Sequence, residues 1–242
     1  MKQKAKIDSA MVLAAGLGKR MRPISATTPK PLIRIGKRTL VNRALDRLAA
    51  AGVKSVIVNV HYLADLVEHH VLRRNDLKIV ISDERDMLLE TGGGTKKALA
   101  NFDGQPFFLI NTDTFWIESA SSSLSRLEDF WDDTQMDALL LLSPTVNARG
   151  FSGHGDFDID NEGRLSRRCE KKLSAWIYAG VAILNPGIFN DTPEGSFSLN
   201  VIFDRAIANK RLFGLSMDGI FVNVGTPAAI GIAEQTLQDS AV

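Results

Sequence analysis

The chain holds one cysteine, Cys169, so no disulfide can form within it. That excludes the stapled class of small secreted domains and suits a reducing compartment. Cys169, between Arg168 and Glu170, reads as a small filler residue near a strand rather than a reactive thiol, because no catalytic histidine pattern accompanies it. No apolar run approaches the ~20 residues that a membrane-spanning helix needs. Charge bias is also missing: 29 Lys and Arg stand against 28 Asp and Glu, leaving +1. Such a balance attracts neither nucleic acid nor an anionic membrane, and neither partner is expected. Lys2 and Lys4 ahead of the apolar residues 10–16 imitate a signal peptide. The run is too short for one, and Lys19, Arg20 and Arg22 interrupt its continuation. A cytoplasmic location is expected.

Much of what is present is ordinary. Apolar content of 45% over 242 residues supports one large core. No repeat, low-complexity tract or linker divides the chain, so residues 1–242 read as one domain.

The informative stretch is Leu13 to Leu32, LAAGLGKRMRPISATTPKPL. Glycines 16 and 18 follow a short apolar segment, and Lys19, Arg20, Arg22 and Lys30 follow them. Glycine after a strand lets the backbone approach a ligand, and successive N–H groups there form a nest for phosphate. Neighbouring Arg and Lys supply the charge that a polyphosphate demands. The pattern predicts nucleoside triphosphate binding. The dinucleotide fingerprint fails because Met21 occupies its third glycine position, and the Walker pattern fails on spacing.

Hydrophobic periodicity predicts strands over 10–14, 55–60, 78–82, 107–111, 138–143 and 177–184. Helices are predicted over 40–51 and 63–72, with another starting at 94, and a hairpin over 157–168 around Asn161-Glu162-Gly163. Residues 90–94 read as a turn. The alternation argues an α/β fold, a mostly parallel sheet with helices on both faces. Ligands then bind at the carboxyl ends of the strands. Both the Gly16 loop and the Asn111-Thr112-Asp113 tip fall there. A carboxylate at such a tip suits Mg²⁺ shared with phosphates.

LAAGLGKRMRP with TPKPL resembles the signature L-x-A-G-x-G-x-R-[ML] with downstream P-K-P of the sugar-1-phosphate nucleotidyltransferases, the NDP-sugar pyrophosphorylases. The likeness runs from about Ser9 to Glu234. Glu90-Thr91-Gly92-Gly93-Gly94 and Gly153-x-Gly155-Asp156-Phe157 bring it nearest to the short bacterial N-acetylmuramate-1-phosphate uridylyltransferases. The resemblance implies a Rossmann-like, GT-A-like nucleotidyltransferase fold. It implies a nucleotide-binding lobe over about 9–115 and a sugar-phosphate lobe over about 116–235.

It also implies roles. Arg20 and Lys30 become the catalytic cations, on the leaving pyrophosphate and the α-phosphate. Ala14, Ala15, Gly16, Gly18, Lys19, Glu84 and Gly92 become nucleotide-binding, with the Glu84 carboxylate accepting from a base N–H. Asn111, Gly155, Asp156, Glu170, Lys171 and Gly180 meet the sugar phosphate. Lys172 stands where relatives carry Pro. Mg²⁺ is held by Asp113 and by Asn223, where relatives place Asp in V-D-V-G-T. The partners implied are UTP and N-acetylmuramate 1-phosphate, and the protein is expected to be a monomer or homodimer. The alternatives are a mannose-1-phosphate guanylyltransferase and a non-catalytic regulatory module of the same fold. The four histidines and Trp116 and Trp131 read as solvated or packing residues.

Overall fold

The computed structural model describes residues 6–240, and Lys2 and Lys4 lie outside that range. In chain order the elements are β1 (Ser9–Leu13), β2 (Arg34–Ile35), β3 (Arg38–Thr39), α1 (Leu40–Ala50), β4 (Ser55–Val60), α2 (Ala64–Val71), β5 (Lys78–Asp83), α3 (Glu90–Ala98), β6 (Phe107–Asn111), β7 (Thr114–Glu118), α4 (Ser123–Phe130), β8 (Ala138–Pro144), β9 (Ala148–Arg149), β10 (Phe157–Ile159), β11 (Leu165–Arg167), β12 (Trp176–Leu184), α5 (Asn200–Ala208), β13 (Leu212–Ser216), β14 (Gly219–Asn223) and α6 (Ala228–Asp239).

Strands β6, β1, β4 and β5 run parallel side by side. Their sequences are unbroken apolar runs because both faces are covered. Along β1, Ala10 and Val12 enter one apolar cluster with α1, α2 and α4, while Met11 faces another with α3 and α5. Val56, Ile57 and Val58 of β4 are fully buried, each stabilising the fold by roughly 1.5–3 kcal/mol. The predicted fold class holds: a central, mostly parallel sheet with helices on both faces.

The second half departs from parallel order. β12 runs antiparallel to β6 and pairs β8 on its other edge, and β13 runs parallel to β8. The hairpin around Asn161-Glu162-Gly163 forms as β10 and β11, and β10 joins the sheet through β12. Both halves of the sequence thus share one nine-stranded sheet. A smaller sheet, β7-β14-β9, packs with α6 behind the glycine loop, where Met21 is fully buried beside Phe115, Val222 and Ala233. Met21 at the position of a dinucleotide-type third glycine is therefore an apolar anchor for the loop.

Two expectations change. Residues 90–94 are the first turns of α3, not a turn preceding it. Three glycines tolerate a helix here because packing leaves no room for side chains. A Cβ at Gly92 would meet the Phe197 ring, one at Gly93 the Gly195 carbonyl, and one at Gly94 the Glu84 carboxylate. Cys169 is exposed rather than packed, because β11 ends at Arg167 and the following loop turns to solvent.

Candidate active site

β1 delivers the chain at Leu13 into the glycine loop. The Ala14 N–H turns inward and donates to Asn59 Oδ1 at 2.7 Å. Gly18 adopts a left-handed φ of 60°, and a Cβ there would press on Ser25 Cβ at 3.2 Å and Lys30 Cβ at 3.3 Å. Its carbonyl accepts from Met21 N–H at 2.9 Å and Ser25 Oγ at 2.8 Å. The loop is thereby wrapped tightly enough to bring the 19–21 turn and Lys30 to one side of a single opening.

That opening is a cavity of about 490 Å³. Ala15, Gly16, Gly18, Lys19, Arg20 and Lys30 line one wall. Asn59, Asn111, Thr112 and Asp113 contribute the carboxyl ends of β4 and β6, and Glu90, Thr91 and Ser198 close the far side. Three cations face two carboxylates, a balance that favours a polyanion. Arg20 is exposed. Lys30 and Asp113 form an ion pair at 3.1 Å. Thr112 Oγ1 donates to the Leu13 carbonyl at 2.7 Å, tying the tip of β6 to the end of β1.

Asn223 ends β14 in register with Thr114, and the next residue's N–H donates to the Asp113 carbonyl at 2.9 Å. The two segments expected to share a metal are therefore adjacent. Gly225 of the same segment lines the cavity, and a Cβ on it would lie 3.6 Å from an Arg20 guanidinium nitrogen. Asn111 lines the cavity with a buried Oδ1 that has no hydrogen-bond partner. Gly180, at φ 76°, protects that placement, since a Cβ there would come 3.0 Å from Asn111 Cβ and 2.8 Å from Thr114 Oγ1. Burial, with the Asp113 charge as a second cause, pushes the Tyr178 phenol up, so it remains protonated at physiological pH. Its hydroxyl is buried without a partner.

Asp113 and the unpartnered Asn111 oxygen line the cavity and suit a hard cation such as Mg²⁺, while Asn223 stands in the segment beside Asp113 and outside the lining. Among the described residues no cluster of three acidic, histidine or cysteine side chains could hold a metal. An ion at this place would therefore lean on ligand phosphates.

Several expected residues stand elsewhere. Glu84 does not line the cavity. It is 1% exposed, and its two oxygens accept from Asn59 Nδ2 at 2.7 Å and Leu89 N–H at 3.1 Å. The sequence cannot show that these bonds occupy the carboxylate expected to read a base. Gly92 is buried under Phe197, and the Ala14 N–H is taken up by Asn59. Glu170 and Lys171 are exposed in the loop after β11 and lie outside the cavity lining. Asp156 Oδ2 accepts from Tyr178 N–H at 2.9 Å, and Gly155, at φ 81°, packs on the Ser174 carbonyl. The sequence reading missed Asn59 and Ser198, and it named Thr112 only as part of the tip of β6. Asn59 had a signal, as the one polar residue late in the buried run SVIVNV.

A glycine loop carrying Lys19 and Arg20, with Lys30 beside it, set against a carboxylate at the sheet's carboxyl edge, suits transfer of a nucleotidyl group. The chain belongs to the family of the MobA-like NTP transferase domain, whose profile matches residues 10–139. It is 42% identical to N-acetylmuramate alpha-1-phosphate uridylyltransferase of Caulobacter vibrioides over 99% of this chain and 100% of that protein. The protein of the same name from Neisseria meningitidis is 29% identical over 90% of this chain and 93% of its own length. The crystal structure of HddC from Yersinia pseudotuberculosis complexed with GMP-PN superposes with a TM-score of 0.75. It covers 96% of this chain and all of that one at 24% identity, a likeness of fold. The family resemblance read from the sequence is thus correct, and the chain groups with the sugar-1-phosphate nucleotidyltransferases.

Proposed function

We propose that the protein transfers a uridylyl group from UTP to N-acetylmuramate 1-phosphate, releasing pyrophosphate, in a Mg²⁺-dependent reaction of the cytoplasm. The observation that carries the substrate choice is the 42% identity spanning both chains end to end. The cavity supports the reaction type. The attacking group is a phosphate oxygen, already anionic at neutral pH, so no side chain need remove a proton. Catalysis then rests on holding like charges together and offsetting charge on the departing pyrophosphate. Arg20 and Lys19 face the leaving group, and Lys30 faces the α-phosphate. Asp113 and Asn223 would hold Mg²⁺, which neutralises triphosphate charge and orients the leaving group when bound. The buried Asn111 oxygen offers an acceptor to the sugar side. Lys171, on the exposed loop after β11, would meet the sugar phosphate.

The test is pyrophosphate release from a panel of triphosphates and sugar 1-phosphates, with and without Mg²⁺. UTP with N-acetylmuramate 1-phosphate should exceed every other pair by at least about tenfold in kcat/KM. Preference for GTP with mannose 1-phosphate would replace this reading with the guanylyl one. No turnover with any pair would leave a nucleotide-binding module.

A further inference from the structure

We propose that Asn59 and Glu84 act as one positioning pair that fixes the separation between the two walls of the nucleotide cavity. It rests on the nucleotidyl-transfer reading only for what fills that cavity. Four groups form an unbroken line. Ala14 N–H donates to Asn59 Oδ1 at 2.7 Å, Asn59 Nδ2 donates to Glu84 Oε1 at 2.7 Å, and Leu89 N–H donates to Glu84 Oε2 at 3.1 Å. Asn59 and Glu84 are 2% and 1% exposed, so water does not compete for these bonds.

The ends of the line adjoin the cavity, since Ala15 and Glu90, the next residues along the chain, line it. Ala14 opens the glycine loop, and pinning its N–H inward leaves the following loop to face the ligand. Leu89 precedes Glu90 and Thr91, which line the opposite wall. Glu90 adopts a left-handed φ of 58°, a conformation that a non-glycine residue keeps only where its surroundings hold it. Helix α3 rests on the pair, since a Cβ at Gly94 would sit 2.5 Å from Glu84 Oε1 and 2.9 Å from Asn59 Nδ2. Glu84 is itself seated by its N–H to the Val60 carbonyl at 2.8 Å and by His61 Nδ1 on its own carbonyl at 2.7 Å. Among the described residues the carboxylate is held by an amide and a backbone N–H, not by a cation.

The donor pattern makes the pair testable. Asn59 must accept from the loop and donate to residue 84, and Glu84 must accept twice. Glu84→Gln sets donor against donor at one of its contacts. Asn59→Asp sets two carboxylates against each other. The double variant N59D/E84Q restores every bond with the middle one reversed. The carboxylate now at position 59 accepts from the Ala14 N–H and from the amide now at position 84. The oxygen of that amide accepts from the Leu89 N–H. Net charge is unchanged.

The experiment measures steady-state kinetics and site-resolved amide exchange for the wild type, both single variants and the double. Each single should raise the UTP KM about tenfold, with smaller changes in kcat and in the sugar phosphate KM. Exchange at the Ala14 and Leu89 amides should quicken in the singles. The double should return the UTP KM to within about threefold and slow both amides again. It carries the test even where a single variant does not fold. Singles that lose thermal stability without a change in UTP KM overturn the proposal, as does a folded double that stays tenfold weak for UTP. If the wild type turns over no substrate, the functional reading fails by itself, and amide exchange still decides the pair: recovery in the double supports it, and its absence overturns it.

Discussion

The Lys30 ammonium sits 3.1 Å from Asp113 Oδ2 across the floor of the cavity. Lys30 is nearly buried, and Asp113 is about one-third exposed. Without ligand each charge offsets the other, which limits what the loss of lysine solvation costs the fold. With a metal-bound triphosphate, the proposed roles require an exchange of partners: Lys30 turns to a phosphate and Asp113 to the cation. Lys30→Met keeps the apolar stem but removes this charge. Its turnover should drop at least ~10²-fold, the scale of losing one preorganised charge contact. Turnover within about threefold of wild type would remove Lys30 from the chemistry.

Arg20 is the complementary case. It is exposed, lines the cavity, and makes no hydrogen bond or ion pair with the protein among the described residues. Arg20→Ala should therefore leave the melting temperature almost unchanged. Turnover should still fall by ~10²-fold, or roughly 3 kcal/mol of transition-state stabilisation. A large stability loss with intact turnover would mark it as structural.

The parallel half of the fold was legible because its strands are buried on both faces, which writes them as plain apolar runs such as SVIVNV and FFLIN. The glycine loop was legible because its backbone demands specific residue types. Only the start of α3 was hidden: a helix is legible from Gly94, but three glycines argue against one over 90–94 and are there for close packing against Phe197, Gly195 and Glu84. The β7-β14-β9 sheet and α6 were also missed, since short strands paired across distant sequence leave no periodic trace. Cavity residues such as Ser198 arrive only by tertiary packing. Glu84 shows the same limit: the sequence places a carboxylate there, but its bonds to Asn59 and Leu89 form only in the fold.

Gly93→Ala tests the packing account of α3. The added methyl would run into the Gly195 carbonyl and approach Leu89 Cβ at 3.2 Å. A backbone carbonyl cannot swing aside as a side chain can. Despite alanine's better helix propensity, stability should fall by about 1–3 kcal/mol, the usual cost of overpacking. Urea unfolding measures this directly. A variant as stable as wild type would mean that α3 and the 195–197 segment separate easily.

His70 gives a pH dependence. Its Nε2 lies 3.4 Å from Thr39 Oγ1, the hydroxyl that caps α1. Burial, then the neighbouring charges of Arg73, Arg34, Arg74 and His69, lowers its pKa below the ordinary histidine value. An unfolded histidine takes up a proton near pH ~6.5. As pH falls through that value, the unfolded chain gains a proton that the folded chain resists, so stability declines until folded His70 also titrates. His70→Gln should flatten the decline in urea midpoint on the acid side of about pH 6.5. An unchanged slope would assign the decline to other groups.

Asn223 carries the last prediction. Its segment lies beside Asp113, joined by the Val224 N–H to the Asp113 carbonyl at 2.9 Å. As a proposed ligand it brings a neutral carbonyl oxygen, so one carboxylate and the substrate phosphates must supply the charge that holds Mg²⁺. Asn223→Asp adds a second negative charge at the same reach. Coulomb attraction to a divalent cation then strengthens, although repulsion of the triphosphate rises as well. The metal should gain more, because its charge is concentrated and binds close by. The Mg²⁺ concentration for half-maximal rate should fall several-fold, with turnover kept within about an order of magnitude. Asp113→Ala should abolish turnover at every Mg²⁺ concentration. If Asn223→Asp leaves the Mg²⁺ titration unmoved while Asp113→Ala is inactive, residue 223 is no ligand. The turn from β14 to Gly225 would then serve only to shape the wall beside Arg20.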